Sequence, residues 1–107
     1  MKEIVFYKTE DGKCPFKEWY TSLDKSIQIR IDQRLERIEE NNFGDCKKLD
    51  NELSELRFKI GAGYRIYYTE YDGFIVLLIN AGDKSTQSKD IKKAKIFTVA
   101  NLFQNRR

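Results

Sequence analysis

Apolar and polar residues alternate in two consecutive stretches of the second half of the chain, and a wholly apolar run follows them. Residues 55–60 place Leu56, Phe58 and Ile60 on one side, and residues 64–70 place Tyr64, Ile66 and Tyr68 together. Residues 74–79, FIVLLI, are apolar on both sides. A period of two predicts strands, and the doubly apolar run predicts the central strand of a sheet. Gly61-Ala62-Gly63 separates the first two runs, and Asp72-Gly73 is a strong two-residue hairpin signal between the second and third. Residues 3–8, rich in β-branched and aromatic side chains, predict a further strand.

Between the first strand and the later three the spacing becomes helical. Pro15 suits the first position of a helix, and Phe16, Trp19, Tyr20 and Leu23 follow on one face. Asp24 stands where a cap is needed for a second helix, with Ile27, Ile31, Leu35 and Ile38 as its buried stripe and Asn41 to Gly44 as its stop. After a loop over residues 80–90, a third helix is expected from about Lys89 through Ile91, Ala94, Phe97 and Ala100. The order predicts an α+β fold: one small domain with a curved antiparallel sheet of about four strands, two helices from the N-terminal half and a C-terminal helix.

The 107 residues suffice for one domain, and with 40% hydrophobic and 35% charged residues they allow a core under a wet surface. Cys14 and Cys46 form no disulfide framework and read as reduced thiols. No apolar run approaches the ~20 residues of a membrane span, and the first residues turn charged too early for a signal peptide. The expected location is the cytoplasm, with no membrane partner. The net charge of +3 is unevenly placed. Lys84, Lys89, Lys92, Lys93, Lys95, Arg106 and Arg107 face only Asp90 in the C-terminal segment, which suits a polyanion or an acidic partner.

With Gly61-Ala62-Gly63 as the turn, Lys59 is expected opposite Arg65, Arg57 opposite Tyr67 and Glu55 opposite Thr69, on a face turned to solvent. Cations directly opposed across a sheet cost a few tenths of a kcal/mol to ~1 kcal/mol, so their grouping calls for a use. Arginine forks suit phosphate, and Tyr67 within the group is a candidate to stack a base. Arg30, Arg34 and Arg37 line one side of the second helix; with Lys89, Lys92 and Lys93 they are candidate RNA contacts. The chain has no histidine, no metal-ligand spacing and no phosphate-cradling glycine loop, so no cofactor or metal is implied. RNA brings its own nucleophile, the 2′-hydroxyl, and Glu55, Arg57, Lys59, Arg65 and Lys84 are the candidate catalytic residues for its attack.

The segments CPFKEWYTSL, GDCKKLDNELSELRFKIGAGYRIYY and INAGDKSTQSKDIKKA resemble the RelE/ParE toxin superfamily, in its HigB-like, phage Gp49-like branch. The resemblance runs from about Gly12 to Ala94 and implies a single toxin domain over residues 1–107. It implies the toxin of a bacterial type II toxin–antitoxin system, an endoribonuclease cleaving ribosome-bound mRNA. It also implies a HigA-like helix-turn-helix antitoxin as partner. Arg65 matches the arginine of the family's Gly-Tyr-Arg, and Lys84 stands where RelE-type enzymes carry a loop arginine. Ala81-Gly82 replaces a frequent Gly-Gly. The group that takes the proton stays open, with Asp90 nearby. A gyrase inhibitor of the ParE kind on the same scaffold, or an inactive phage-derived relative, are the alternatives.

Overall fold

The computed structural model describes residues 1–105, with side chains to Thr98; the side chain of Ala100 in the helical stripe, and Arg106 and Arg107 of the basic segment, lie outside that description. Strand β1 (Glu3–Phe6) is followed by helices α1 (Pro15–Thr21) and α2 (Lys25–Glu39). Strands β2 (Cys46–Lys48), β3 (Ser54–Phe58), β4 (Tyr64–Tyr71) and β5 (Ile75–Gly82) come next. A 3-10 turn (Lys84–Thr86) leads into α3 (Gln87–Asn105). The α+β class is the one the pattern predicts. The sheet, however, has five strands in the order β1-β5-β4-β3-β2, and β1 pairs parallel to β5 while the other pairs are antiparallel. Strand β2 has no apolar period because all three of its residues are exposed. The doubly apolar run lies in β5, an interior strand, but β4 holds the middle position.

Local chemistry explains the turns. Pro15 opens α1, and Asp24 occupies the N-cap of α2 without a side-chain hydrogen bond. Asn41 and Gly44 both take the left-handed conformation after α2, and Asp72 and Gly73 do so in the β4–β5 hairpin, as a two-residue turn of this kind requires. The expected loop over residues 80–90 is instead the end of β5, the 3-10 turn and the start of α3. A bulge in the β4–β5 ladder between Tyr67 and Tyr68 places both Ile79 and Asn80 on the face of Tyr67.

Helices cover both faces of the sheet. One core joins Phe16, Ile31 and Ile38 of α1 and α2 to Leu56, Phe58, Ile66, Tyr68, Val76 and Leu78. A second core, against α3, holds Tyr7, Leu53, Tyr67, Leu77, Ile79 and Ala94. The face expected to meet solvent is therefore largely covered, because Leu77 and Ile79 of β5 demand a partner there.

Arg34 fastens α2 to the hairpin. Its guanidinium donates to the carbonyls of Phe43, Asp45 and Arg57 at 2.8, 2.7 and 3.0 Å and lies over the Phe58 ring at 4.8 Å. Burial lowers its pKa, with the nearby Asp45 acting in the opposite sense. Arg34 is thus a structural cation rather than the free RNA contact expected of it. Replacing Arg34 by Ala should lower the unfolding free energy by about 2 kcal/mol, since carbonyls lose their donor under a half-buried side chain; urea unfolding checks this.

Candidate nucleic-acid interface

The β3–β4 hairpin keeps the predicted faces but not the predicted partners. Phe58 pairs with Tyr64, Arg57 with Arg65, Leu56 with Ile66 and Glu55 with Tyr67. The register is displaced by two residues because Lys59 and Ile60 leave the strand and join the glycine loop. A shift of two preserves side-chain parity, so each residue stays on its face. Gly61 and Gly63 both have positive φ, and the Gly63 amide donates to the Ile60 carbonyl at 2.9 Å. The backbone amide of Lys84 donates to Ala62 at 3.3 Å, so the turn after β5 rests against this loop.

The cations that face each other are thus Arg57 and Arg65, not Lys59 and Arg65. Each has its own carboxylate. Arg57 donates to Asp45 through Nε and Nη2 at 3.3 and 3.1 Å. Arg65 donates through Nε to Glu55 at 3.2 Å and through Nη1 to the Gly63 carbonyl at 2.7 Å. The Glu55 side chain is 1% exposed and that of Arg65 15%, so neither stands on an open face. The other oxygen of Glu55 accepts from Nε2 of Gln87 in α3 at 3.0 Å. With both oxygens engaged, Glu55 serves here to orient Arg65. Lys59 is 85% exposed and reaches Asp45 only at 3.9 Å, a contact of little energetic weight.

Tyr67 is fully buried in the second core, where it cannot stack a base. Its phenol pKa is raised, first by burial and then by the charges of Glu55 and Asp90, with Arg65 opposing. Its hydroxyl lacks a hydrogen-bond partner among the described residues.

Two clefts lie side by side on the surface. One, of about 390 Å³, is lined by Arg30, Arg34 and Arg37 of α2 together with Asp45, Arg57 and Lys59. The other, of about 410 Å³, runs from Arg57 and Lys59 past the glycine loop to Arg65 and Lys84. They share Arg57, Phe58, Lys59 and Ile60, so together they form a groove that crosses the hairpin. Asp45 is the single carboxylate among its lining residues. Lys89, Lys92 and Lys93 do not join this groove; with Ser85, Thr86, Ser88 and Ile96 they line a separate cleft along α3. Among the described residues no three carboxylate or thiol side chains converge as metal ligands would, and no helix is long and apolar enough to cross a membrane.

Three positions that shape the candidate site escaped the sequence reading. Asp45 neutralises Arg57, and nothing in its sequence neighbourhood marks it. Gln87 holds Glu55, and Thr86 donates to the buried Asp90 carboxylate at 2.5 Å. These last two lie within the GDKSTQSKD segment, whose Asp83 and Thr86 cap the 3-10 turn reciprocally. Asp83 has a lowered pKa, chiefly through its hydrogen bond with the Ser85 side chain.

The profile of the phage-derived Gp49-like proteins matches residues 18–104. An uncharacterized protein of Haemophilus influenzae is 42% identical over 82 residues, which cover 76% of this chain and 83% of that protein.

Two substitutions test this geometry. Tyr67→Phe removes a buried hydroxyl without a partner and should raise the unfolding free energy by up to about 1 kcal/mol, read by thermal melting. Arg65→Ala should lower it by roughly 3 kcal/mol, because the Glu55 carboxylate then stays buried without its cation. Adding Glu55→Gln should recover part of that loss, as urea titration of the single and double variants will show.

Proposed function

The chain belongs to the phage-derived Gp49-like family, and from that membership we propose that it is the toxin of an addiction module, acting as an endoribonuclease on translated mRNA. The family's association with addiction-module toxins supports the first part of this reading. The groove supports the second. A channel lined by Arg30, Arg37, Arg57, Lys59, Arg65 and Lys84 with one carboxylate suits a single strand of RNA phosphates. This is the observation that carries the proposal.

At the loop end of the groove, Arg65 and Lys84 provide positive charge beside one another. Arg65 is held through Nε and Nη1, and among the described residues Nη2 remains for a phosphate oxygen. In the proposed reaction the 2′-oxygen attacks the adjacent phosphorus and the bond to the 5′-oxygen breaks. The 2′-hydroxyl proton is lost and the leaving oxygen gains one. Arg65 and Lys84 stabilise the negative charge that builds on the phosphorane, and fixed donors do this without reorganising during the reaction. Arg57 and Lys59 bind the flanking phosphates.

The antitoxin is the expected protein partner. The same cations favour acidic residues on it, so association should be fast and should slow as salt rises. Ile29, 47% exposed on α2, offers that partner an apolar anchor.

Induction of the protein followed by mapping of transcript 5′ ends tests the function. Cuts inside translated codons are expected. Intact transcripts with DNA damage would point instead to gyrase. Lys84→Ala should lower the cleavage rate about 10²- to 10³-fold, with the fold intact by circular dichroism because Lys84 is exposed. Cleavage by the purified protein, measured without ribosomes, should persist in excess chelator.

A further inference from the structure

Arg65 belongs to β4 and Lys84 opens the 3-10 turn after β5, yet the opening turns of one helix hold both. Gln87 is the first residue of α3, and its side-chain amide fixes Glu55, which fixes Arg65. One turn further on, Asp90 is 9% exposed and accepts from the Thr86 hydroxyl, inside the 3-10 turn that begins at Lys84. Gly82 pairs with Arg65 across the sheet and lies directly beneath the Asp90 carboxylate. A Cβ at Gly82 would overlap both that carboxylate and the Thr86 hydroxyl. This explains a glycine at a position whose φ any residue can adopt. The Asn80 amide donates to the Asp90 carbonyl at 3.0 Å, which pins the same turn of helix to β5.

We propose that Thr86, Gln87 and Asp90 are positioning residues that set Lys84 and Arg65 at a fixed separation for one phosphate. The proposal rests on the nuclease reading for its substrate. It gives Asp90 a role distinct from proton transfer. Buried under α3 and bonded to Thr86, its carboxylate is a strut for the turn carrying Lys84. A strut acts on the transition state more than on ground-state binding. Its loss should therefore lower kcat and leave KM nearly unchanged.

The experiment compares Thr86→Val, which keeps the shape of the side chain but not its donor, with Thr86→Ser, which keeps the donor. Backbone order at Lys84 and Ser85 is read by 15N relaxation, and RNA cleavage is measured in parallel. Thr86→Val should lower the heteronuclear NOE at both amides and reduce kcat about 10- to 100-fold, with KM within twofold. Thr86→Ser should restore both. Unchanged order at Lys84, or a loosened turn with wild-type kcat, or a loss confined to KM, would each overturn the positioning role. If wild-type protein cleaves no RNA, the nuclease reading fails while the relaxation data still decide whether Thr86 and Asp90 hold the Lys84 turn.

Discussion

Two guanidinium groups face each other across β3 and β4, and the fold has to neutralise both to keep that hairpin. Arg57 uses Asp45, drawn in from the segment before β2, and Arg65 uses Glu55 from the opposing strand. A buried ion pair is stabilising only when its remaining hydrogen-bonding capacity is met. Gln87 meets it for Glu55, and Gly63 meets part of it for Arg65. The hairpin, the glycine loop and the start of α3 are therefore joined through one carboxylate. The same constraint shapes the surface: Asp45 stands among the cations of the groove because Arg57 needs it, and among the described residues the exposed Lys59 has only a long contact with Asp45.

Much of the architecture was legible in the order of residues. The alternation in β3 and β4, the helical stripes of α1 and α2 and the Asp72-Gly73 turn all report local chemistry, and the elements lie where these patterns indicate, although β3 ends before Ile60 and α1 before Leu23. The parallel pairing of β1 with β5 is a nonlocal choice, and no local pattern encodes it. The hairpin register was missed because glycines on both sides of Ala62 permit either a short turn or a longer loop. Parity survived because the apolar face is buried in both arrangements.

The grouping of cations in the candidate site was legible in the sequence, but their exposure was not. Arg57, Lys59, Arg65 and Lys84 do line one cleft. Tyr67, Glu55 and Arg34 were assigned to solvent or RNA, and burial withdraws the first two. The carbonyls at the end of α2 and before β3 occupy the third. One signal pointed to the error. A strand apolar on both faces, such as FIVLLI, requires cover on both sides of the sheet, and α3 supplies it over Tyr67. The amphipathic reading of β4 treated its polar and charged face as wet, although a neighbouring strand already excluded that.

The pairing of Glu3 with Ile75 has a consequence for the life of the chain on the ribosome that makes it. The first strand emerges early and has no sheet to join until β5 follows, which at ordinary synthesis speeds of about 5–20 residues per second takes several seconds. Gln87 and Asp90 come later still. For that interval the hairpin cations exist in the nascent chain without the helix that sets them in place. The order of the elements thus separates the making of the hairpin from the fixing of its arginine: β3 and β4 are complete before the turn of α3 that holds Glu55 is synthesised.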